Sequence, residues 1–523
     1  MLKMVDGTGI IGVDMICPLG VSTPQPPNYD NIEMEGVGSL VLANSLKAPL
    51  ERVELLGNSV QGENPSPDNP QEIKSAGRKS KNLFNIADLR VGQVQKDGTI
   101  NEKQIYYRTV ILDVPQDGKY RITFNSNDDY IMLYFTEAYA NGAYSQPYLR
   151  VHAGSPNYYI TLAKGKNILS FSTHTASGKI AFTTDHNIMI AAESETLDYE
   201  PYGYLLDVKV TGKNLLDMAD IQNENGKIDS DFGKAKSIKP FKVIKDRKYL
   251  LISKGTMIVD VRYSSIYFGE DDLAYGQDSS RKLTTGTGYS CFIGTETRKI
   301  LVAKETCTIT KTMMHGTRTE KDAYEVEELG LFEIINDNPN TPYEPYTEQT
   351  VQIALDEPLR GIGEYKDVLT KDGVVRKIKR VVLDGSEGWL IDKIVDGNVT
   401  QTFVLILKDM LLISNHDKRI MCDKFKFGTA LWANDIVAIG TYSNKLYLNV
   451  EKDKVPDLQT FKTWLSQNPL AVDYVLAEPV TEPLPESEQQ QLQALHSENG
   501  TTHVFVVSGE VEAGIKLTYR KEK

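Results

Sequence analysis

The stretch Tyr139-Ala140-Asn141-Gly142-Ala143-Tyr144-Ser145-Gln146-Pro147-Tyr148-Leu149-Arg150 gathers aromatic rings, side-chain amides and a guanidinium in one short run. Those groups suit a saccharide. Sugar rings present apolar faces that stack on tyrosine, while amide and guanidinium groups hydrogen-bond the hydroxyls. Tyr139, Asn141, Tyr144, Gln146, Tyr148 and Arg150 are therefore candidate ligand-binding residues. Tyr267 and Tyr275 are their counterparts later in the chain, near Tyr263, Asp271 and Asp272. The competing use of the same rings is packing at a sandwich edge or a subunit interface, which is the commoner fate of tyrosine.

Other reactive groupings are poorer. Asp128-Asp129 and Glu270-Asp271-Asp272 offer paired carboxylates of the glycosidase type. Neighbours on a strand point to opposite faces, however, and in a turn they are usually solvated. No catalytic residue is assigned, and the chain is expected not to be an enzyme. Asp220-Ile221-Gln222-Asn223-Glu224-Asn225-Gly226 lacks the alternating carboxylates of a strong calcium loop. Calcium is the one cofactor worth weighing, and none is expected. The seven histidines form neither an HExxH pattern nor a Cys/His quartet, so no metal site is expected. Trp389, Trp432 and Trp464 read as core or interface residues rather than sugar platforms. No Gly-Lys pair completes a phosphate cradle.

Strands must position these groups. Tyr120, Ile122 and Phe124 alternate with Arg121, Thr123 and Asn125, the period of a half-buried strand. Similar runs occur at Ile131–Phe135, Ile168–Phe171, Ile188–Ala191, Tyr249–Ile252, Met257–Val261, Ile300–Ala303 and Phe403–Leu407. Asp97-Gly98, Asp117-Gly118, Asn225-Gly226, Asp372-Gly373 and Asp396-Gly397 supply the positive φ that tight hairpins need. The pattern predicts mainly β structure, in tandem antiparallel β-sandwiches of jelly-roll, carbohydrate-binding-module-like type. Two helices are predicted late: Leu458–Ser466, capped by Asp457, and Glu486–Ser497 after Pro485. A hairpin of His503–Val507 with Ile515–Tyr519 is predicted to end the chain.

Two motifs repeat. Lys81-Asn82-Leu83-Phe84-Asn85 returns as Lys213-Asn214-Leu215-Leu216-Asp217, an offset of 213 − 81 = 132. Asp198-Tyr199-Glu200-Pro201-Tyr202 returns as Pro342-Tyr343-Glu344-Pro345-Tyr346, an offset of 343 − 199 = 144. One opens a module and the other closes it, and both are read as structural. The expected division is an extended arm over 1–33, rich in proline at Thr23–Pro27, and a β segment over 34–75. Sandwich modules follow over 76–204 and 205–347, then a connector with a third module over 348–484. A helix and hairpin fill 485–523. Asp473-Tyr474-Val475-Leu476-Ala477-Glu478-Pro479 reads as a degenerate closure of the third module.

The length of 523 residues exceeds what one core usually supports. A net charge of −13, from 58 Lys+Arg and 71 Asp+Glu, opposes binding of nucleic acid or an anionic membrane through charge alone. No apolar run is long enough to span a bilayer, and residues 1–20 read as mature protein rather than a signal peptide. Cys17, Cys291, Cys307 and Cys422 show no framework spacing, so free thiols are expected. Cys291 and Cys307 could pair only if their strands adjoin.

Several segments resemble minor structural proteins of phage tails, the baseplate and tail-fibre components of phages and prophages of Gram-positive bacteria. They are Gly57-Asn58-Ser59-Val60-Gln61-Gly62, Pro65-Ser66-Pro67-Asp68-Asn69-Pro70 with Ile73, and Lys81–Asn85. Further pieces are Pro358-Leu359-Arg360-Gly361-Ile362-Gly363, Arg376-Lys377-Ile378, Val381–Glu387, Phe461-Lys462-Thr463-Trp464-Leu465 and Leu476–Tyr519. The resemblance covers most of the chain after about residue 34. It implies an extracellular virion part built of jelly-roll modules, often trimeric, with other tail proteins and host cell-wall saccharide as partners. It carries no catalytic motif. Two readings follow: a tail or baseplate adhesin, or a spacer that holds a separate receptor-binding protein.

Overall fold

The computed structural model describes residues 5–6, 9–10, 29–44, 47–95, 99–105, 107–123, 130–135, 148–152, 158–175, 178–180, 187–195, 198–222, 235–257, 265–274, 276–285, 291–292, 296–315, 324–335, 339–392, 399–412, 419–428 and 438–522. The chain is mainly β, as the alternation predicts, and its sheets are antiparallel.

A central sandwich is assembled from segments far apart in sequence. One sheet runs in the order Glu348–Leu355, Tyr204–Thr211, Gly500–Val507, Ser39–Asn44. The facing sheet begins Tyr29–Val37, Gly514–Glu522, Ala48–Leu56, Val368–Thr370, Gly373–Leu383 and continues through Leu470–Pro483. Alternation explains the pairing of faces. Leu40, Leu42, Val208, Val210, Val504 and Val506 turn inward from the first sheet, and Val53, Leu55, Ile515 and Leu517 from the second. Lys209 and His503 lie on the opposite face of the first sheet.

This scaffold corrects the expected string of beads. The segments 34–75 and 485–523 and the start of 348–484 are parts of one domain. Residues 29–33 belong to it as well, not to an arm. No one of these segments carries enough apolar surface to fold alone, so they share a core. The predicted terminal hairpin is also corrected. Gly500–Val507 and Gly514–Glu522 lie in different sheets and do not pair with each other.

The modules are insertions into the scaffold. Module 1 leaves through Arg78–Lys79, which pairs with Tyr204–Leu205, and returns at Tyr204. Module 2 leaves at Thr211 and returns at Glu348, which are cross-strand partners. Modules 1 and 2 thus emerge from opposite ends of the strand Tyr204–Thr211.

Their main strands pair in the same order. In module 1, Arg108–Val114 pairs Gly165–Thr175, which pairs Tyr130–Phe135, which pairs Tyr148–His152. In module 2, Ala235–Val243, Cys307–His315, Ser265–Gly269 and Cys291–Phe292 repeat that order. Opposite them, Gly118–Thr123 lies between Tyr158–Leu162 and Met189–Ala192, as Lys248–Met257 lies between Glu296–Ala303 and Tyr324–Glu333. Tyr120, Ile122, Leu169 and Phe171 fill the first core; Phe241, Tyr249, Phe268 and Leu331 fill the second. The motif repeat is therefore a repeat of fold. Ser265–Gly269 separates the strands of Cys291 and Cys307, and Cys307 and Cys422 are free thiols.

Module 3 rides on the ribbon of Gly373–Leu383 and Leu470–Pro483. Its four-stranded sheet, Leu390–Ile391, Thr400–Ile406, Lys445–Glu451, Ala438–Tyr442, packs on helix α1, Leu458–Gln467. Asp457 caps α1 by accepting from the Thr460 N–H at 2.8 Å. Phe461 stacks on Phe403 with ring centroids 3.8 Å apart. Helix α2, Glu486–Gln493, is shorter than predicted, because His496–Ser497 turns away to pair with Ala48–Pro49.

Candidate functional site

The repeated motifs meet at the neck of each inserted module. Asn82 is buried; its Oδ1 accepts from the Phe84 and Ile190 N–H groups at 2.9 and 3.0 Å. Its Nδ2 donates to the Ile188 and Glu200 carbonyls at 2.9 and 3.1 Å. Asn214 copies this, accepting from Leu216 and Leu331 at 3.1 and 3.0 Å and donating to the Glu344 carbonyl at 3.1 Å. A charge pair reinforces each neck: Arg78 with Glu200 at 2.9 Å, and Lys213 with Glu344 at 2.5 Å. Asn85 and Asp217 each cap the short turn that follows, accepting from Ala87 and Ala219 at 3.0 Å. Burial raises the Glu200 carboxyl, but Arg78 and the Lys81 N–H outweigh it and hold the pKa below the usual range.

Module 3 is fixed differently. The ladder between Gly373–Leu383 and Leu470–Pro483 slips between Arg376 and Ile378, opposite Val480 and Val475. Asp367, fully buried, fills the gap by accepting from the Lys377 and Ile378 N–H groups at 2.8 and 3.0 Å. It also accepts from the Arg360 N–H and from Arg376 Nη1, at 3.0 and 3.3 Å. Asp473 holds Arg380 through two bonds of 2.6 and 2.8 Å. Asp473–Pro479 is thus part of the ribbon and its irregularity, which corrects its reading as a closure. The loop Gly62–Pro70 straps the same module. Lys426 Nζ donates to Asn64 Oδ1 at 3.1 Å, and Gln61 Nε2 donates to the Cys422 carbonyl at 2.6 Å. A cleft of about 610 Å³ lies between this strap and residues such as Phe425, Lys426 and Ile439.

Tyr139, Asn141, Tyr144, Gln146 and Tyr275 lie outside the described residues, as do Tyr263, Asp128, Asp129 and Trp432. Tyr148 and Arg150 lie in the edge strand of module 1, in register with Tyr134 and Met132. Tyr267 is not a platform for sugar. It is 8% exposed, packs with Leu273 and Met313, and carries the Arg281 guanidinium over its ring at 3.9 Å. A strand whose side chains all turn into packed surroundings leaves no free ring face.

The carboxylates are occupied singly. Glu270 pairs with Lys282 at 3.0 Å, and Asp271 accepts from Thr310 at 3.3 Å. Asp220 accepts from the Lys239 N–H at 2.6 Å. Among the described residues no group of three or more His, Cys, Asp or Glu could hold a metal ion. Trp389 is buried, edge-on to Phe461 at 5.0 Å, and donates to Glu387 at 2.9 Å.

One surface was not anticipated. Register places Leu390, Val404, Ile406, Lys445, Tyr447 and Tyr442 on the face of the four-stranded sheet of module 3 that turns away from α1, where Val404 and Tyr447 are buried with Ala438. Leu390, Ile406 and Tyr442 are 53%, 47% and 43% exposed. The alternation at Phe403–Leu407 contained the signal, but which face meets solvent depends on the helix that covers the other.

No protein-family model and no curated protein matches the chain. Three solved structures of infectious bursal disease virus align weakly. The Gt strain structure is 6% identical over 95% of this chain and 82% of that chain, with a TM-score of 0.11. The T13 viral particle gives 6%, 94%, 79% and 0.12, and the VP2 subviral particle 8%, 96%, 84% and 0.10. Likenesses at that level define neither fold nor function.

Proposed function

We propose that the chain is a non-enzymatic structural protein of a phage tail or baseplate, whose sandwich modules adhere to host cell-surface saccharide. The observation that carries this reading is the architecture. Three modules are inserted into one sandwich, and each is locked at its neck by buried polar bonds, so the scaffold displays them as separate lobes. Several weak sites on one rigid frame gain avidity when engaged together, and oligomers, trimers in particular, would extend that gain. The exposed Tyr442, Leu390 and Ile406 offer a ring and apolar surface of the kind sugars stack on. The alternative, a spacer for a separate receptor-binding protein, is favoured by the burial of Tyr267 and by the packing of Tyr343 against Phe332.

Antibody against the purified chain tests the location. Labelling of particles at the tail tip is expected. Intact particles that carry none of the protein would contradict the proposal.

A further inference from the structure

The row of the scaffold sheet from which module 2 emerges is Glu348, Thr211, His503 and Val41, joined as cross-strand partners. His503 is buried, and its side chain faces module 2. Its Nδ1 lies 3.7 Å from Glu333 Oε2, too far for a hydrogen bond, while Glu333 Oε1 is held by Arg247 at 2.5 Å. His503 Nε2 has no hydrogen-bond partner among the described residues, and neither does the buried Thr211 Oγ1 beside it. The charged groups around this junction are Glu333, Arg247, Asp246 and Lys248 from module 2, and Lys209 and Glu348 from the scaffold strands. Lys242 of module 2 also reaches across the junction to Glu512 at 2.8 Å.

We infer that His503 is an acid-sensitive latch, which keeps module 2 docked on the scaffold while neutral and releases it when protonated. The reason is an unmet demand for acceptors. Neutral imidazole leaves Nε2 without a partner and Nδ1 without a hydrogen bond to Glu333, but it buries no charge. Imidazolium would bury a charge and two N–H donors, with Glu333 too distant for one and nothing for the other. Opening lets water supply both. Burial lowers the His503 pKa, Arg247 adds to this, and Glu333 opposes it. The sign follows from linkage. With the docked pKa depressed, docking is fully stabilised above the ordinary imidazole value of about 6.5 and weakens as pH falls from there toward the docked pKa.

Hydrogen exchange on the full chain, corrected for intrinsic rates, tests the latch at Gly500–Val507 and Tyr324–Glu333. Protection in both segments is expected to fall up to about tenfold per pH unit between about pH 6.5 and 5. His503→Gln should remove that dependence, and His496→Gln should keep it. Should His503→Gln fail to fold, the imidazole of the wild-type protein supplies the readout: its proton NMR titration should centre below about pH 6.5, with protection already falling as the pH drops toward it. An equal acid response in His503→Gln, or a wild-type junction that stays protected while His503 titrates, would overturn the inference.

Discussion

Asn214 Nδ2 donates to the Glu344 carbonyl at 3.1 Å, across 130 residues of chain, just as Asn82 Nδ2 donates to the Glu200 carbonyl at 3.1 Å across 118. The first residue of each pair opens a module and the second closes it. One buried amide therefore converts a long excursion of chain into a closed lobe.

Asn214→Ala should destabilise module 2 by about 2–3 kcal/mol, because two N–H groups and a carbonyl lose buried partners. Asn82→Ala should do the same to module 1. Denaturant unfolding followed by segment-resolved exchange checks this. Loss of protection confined to the altered module is expected.

Glu200 gives module 1 a second, acid-sensitive term. Its pKa is depressed, so its contribution is complete above the ordinary carboxylate value and is lost as pH falls through the folded value. Glu200→Gln should cost about 1 kcal/mol at neutral pH and flatten the stability curve below about pH 4.5. This window lies below that of the His503 junction, so the two effects separate on one pH series.

Asp367 stitches the scaffold to module 3, and its replacement should be felt in both. Asp367→Ala strands three backbone N–H groups and removes one of the partners of Arg376, which keeps Glu482, with an expected loss of about 2–4 kcal/mol. Calorimetry should show the scaffold and module 3 transitions falling together. A shift in one alone would contradict the shared lock.

Cys422 should resist thiol reagents in the folded protein. It is buried, and burial pushes its pKa up to about 12; Cys307 is pushed up to about 11. Mass-resolved alkylation near neutral pH should leave both unmodified until the chain is denatured.

Local patterns were legible in the sequence. The alternation at Tyr120 and Ile122 and the cap at Asp457 depend on neighbours a few residues away, and both appear as expected. The scaffold was not legible. Tyr29–Val37 finds its partner in Gly514–Glu522, and nothing in either segment names the other. The misread terminal hairpin has the same cause. A turn after Val507 looks alike whether the next strand folds back beside it or crosses to the facing sheet. Of the candidate site, the burial of Tyr267 was not legible, because it depends on Arg281, which folds back over the ring from the segment that follows the same strand. The clasp residues stood inside the repeated motifs, but their buried bonds became visible only when opening and closing segments met.

The most direct test of adhesive display is a sedimentation assay of the purified chain on wall polysaccharide from Gram-positive bacteria, with released soluble sugar measured in the same tube. Saturable binding without product is the expected result, weakened in Tyr442→Ala and in Tyr139→Ala/Tyr144→Ala/Tyr148→Ala. A folded wild-type protein that binds none of the wall preparations would contradict the adhesin and leave the spacer; released product would contradict the non-enzymatic reading.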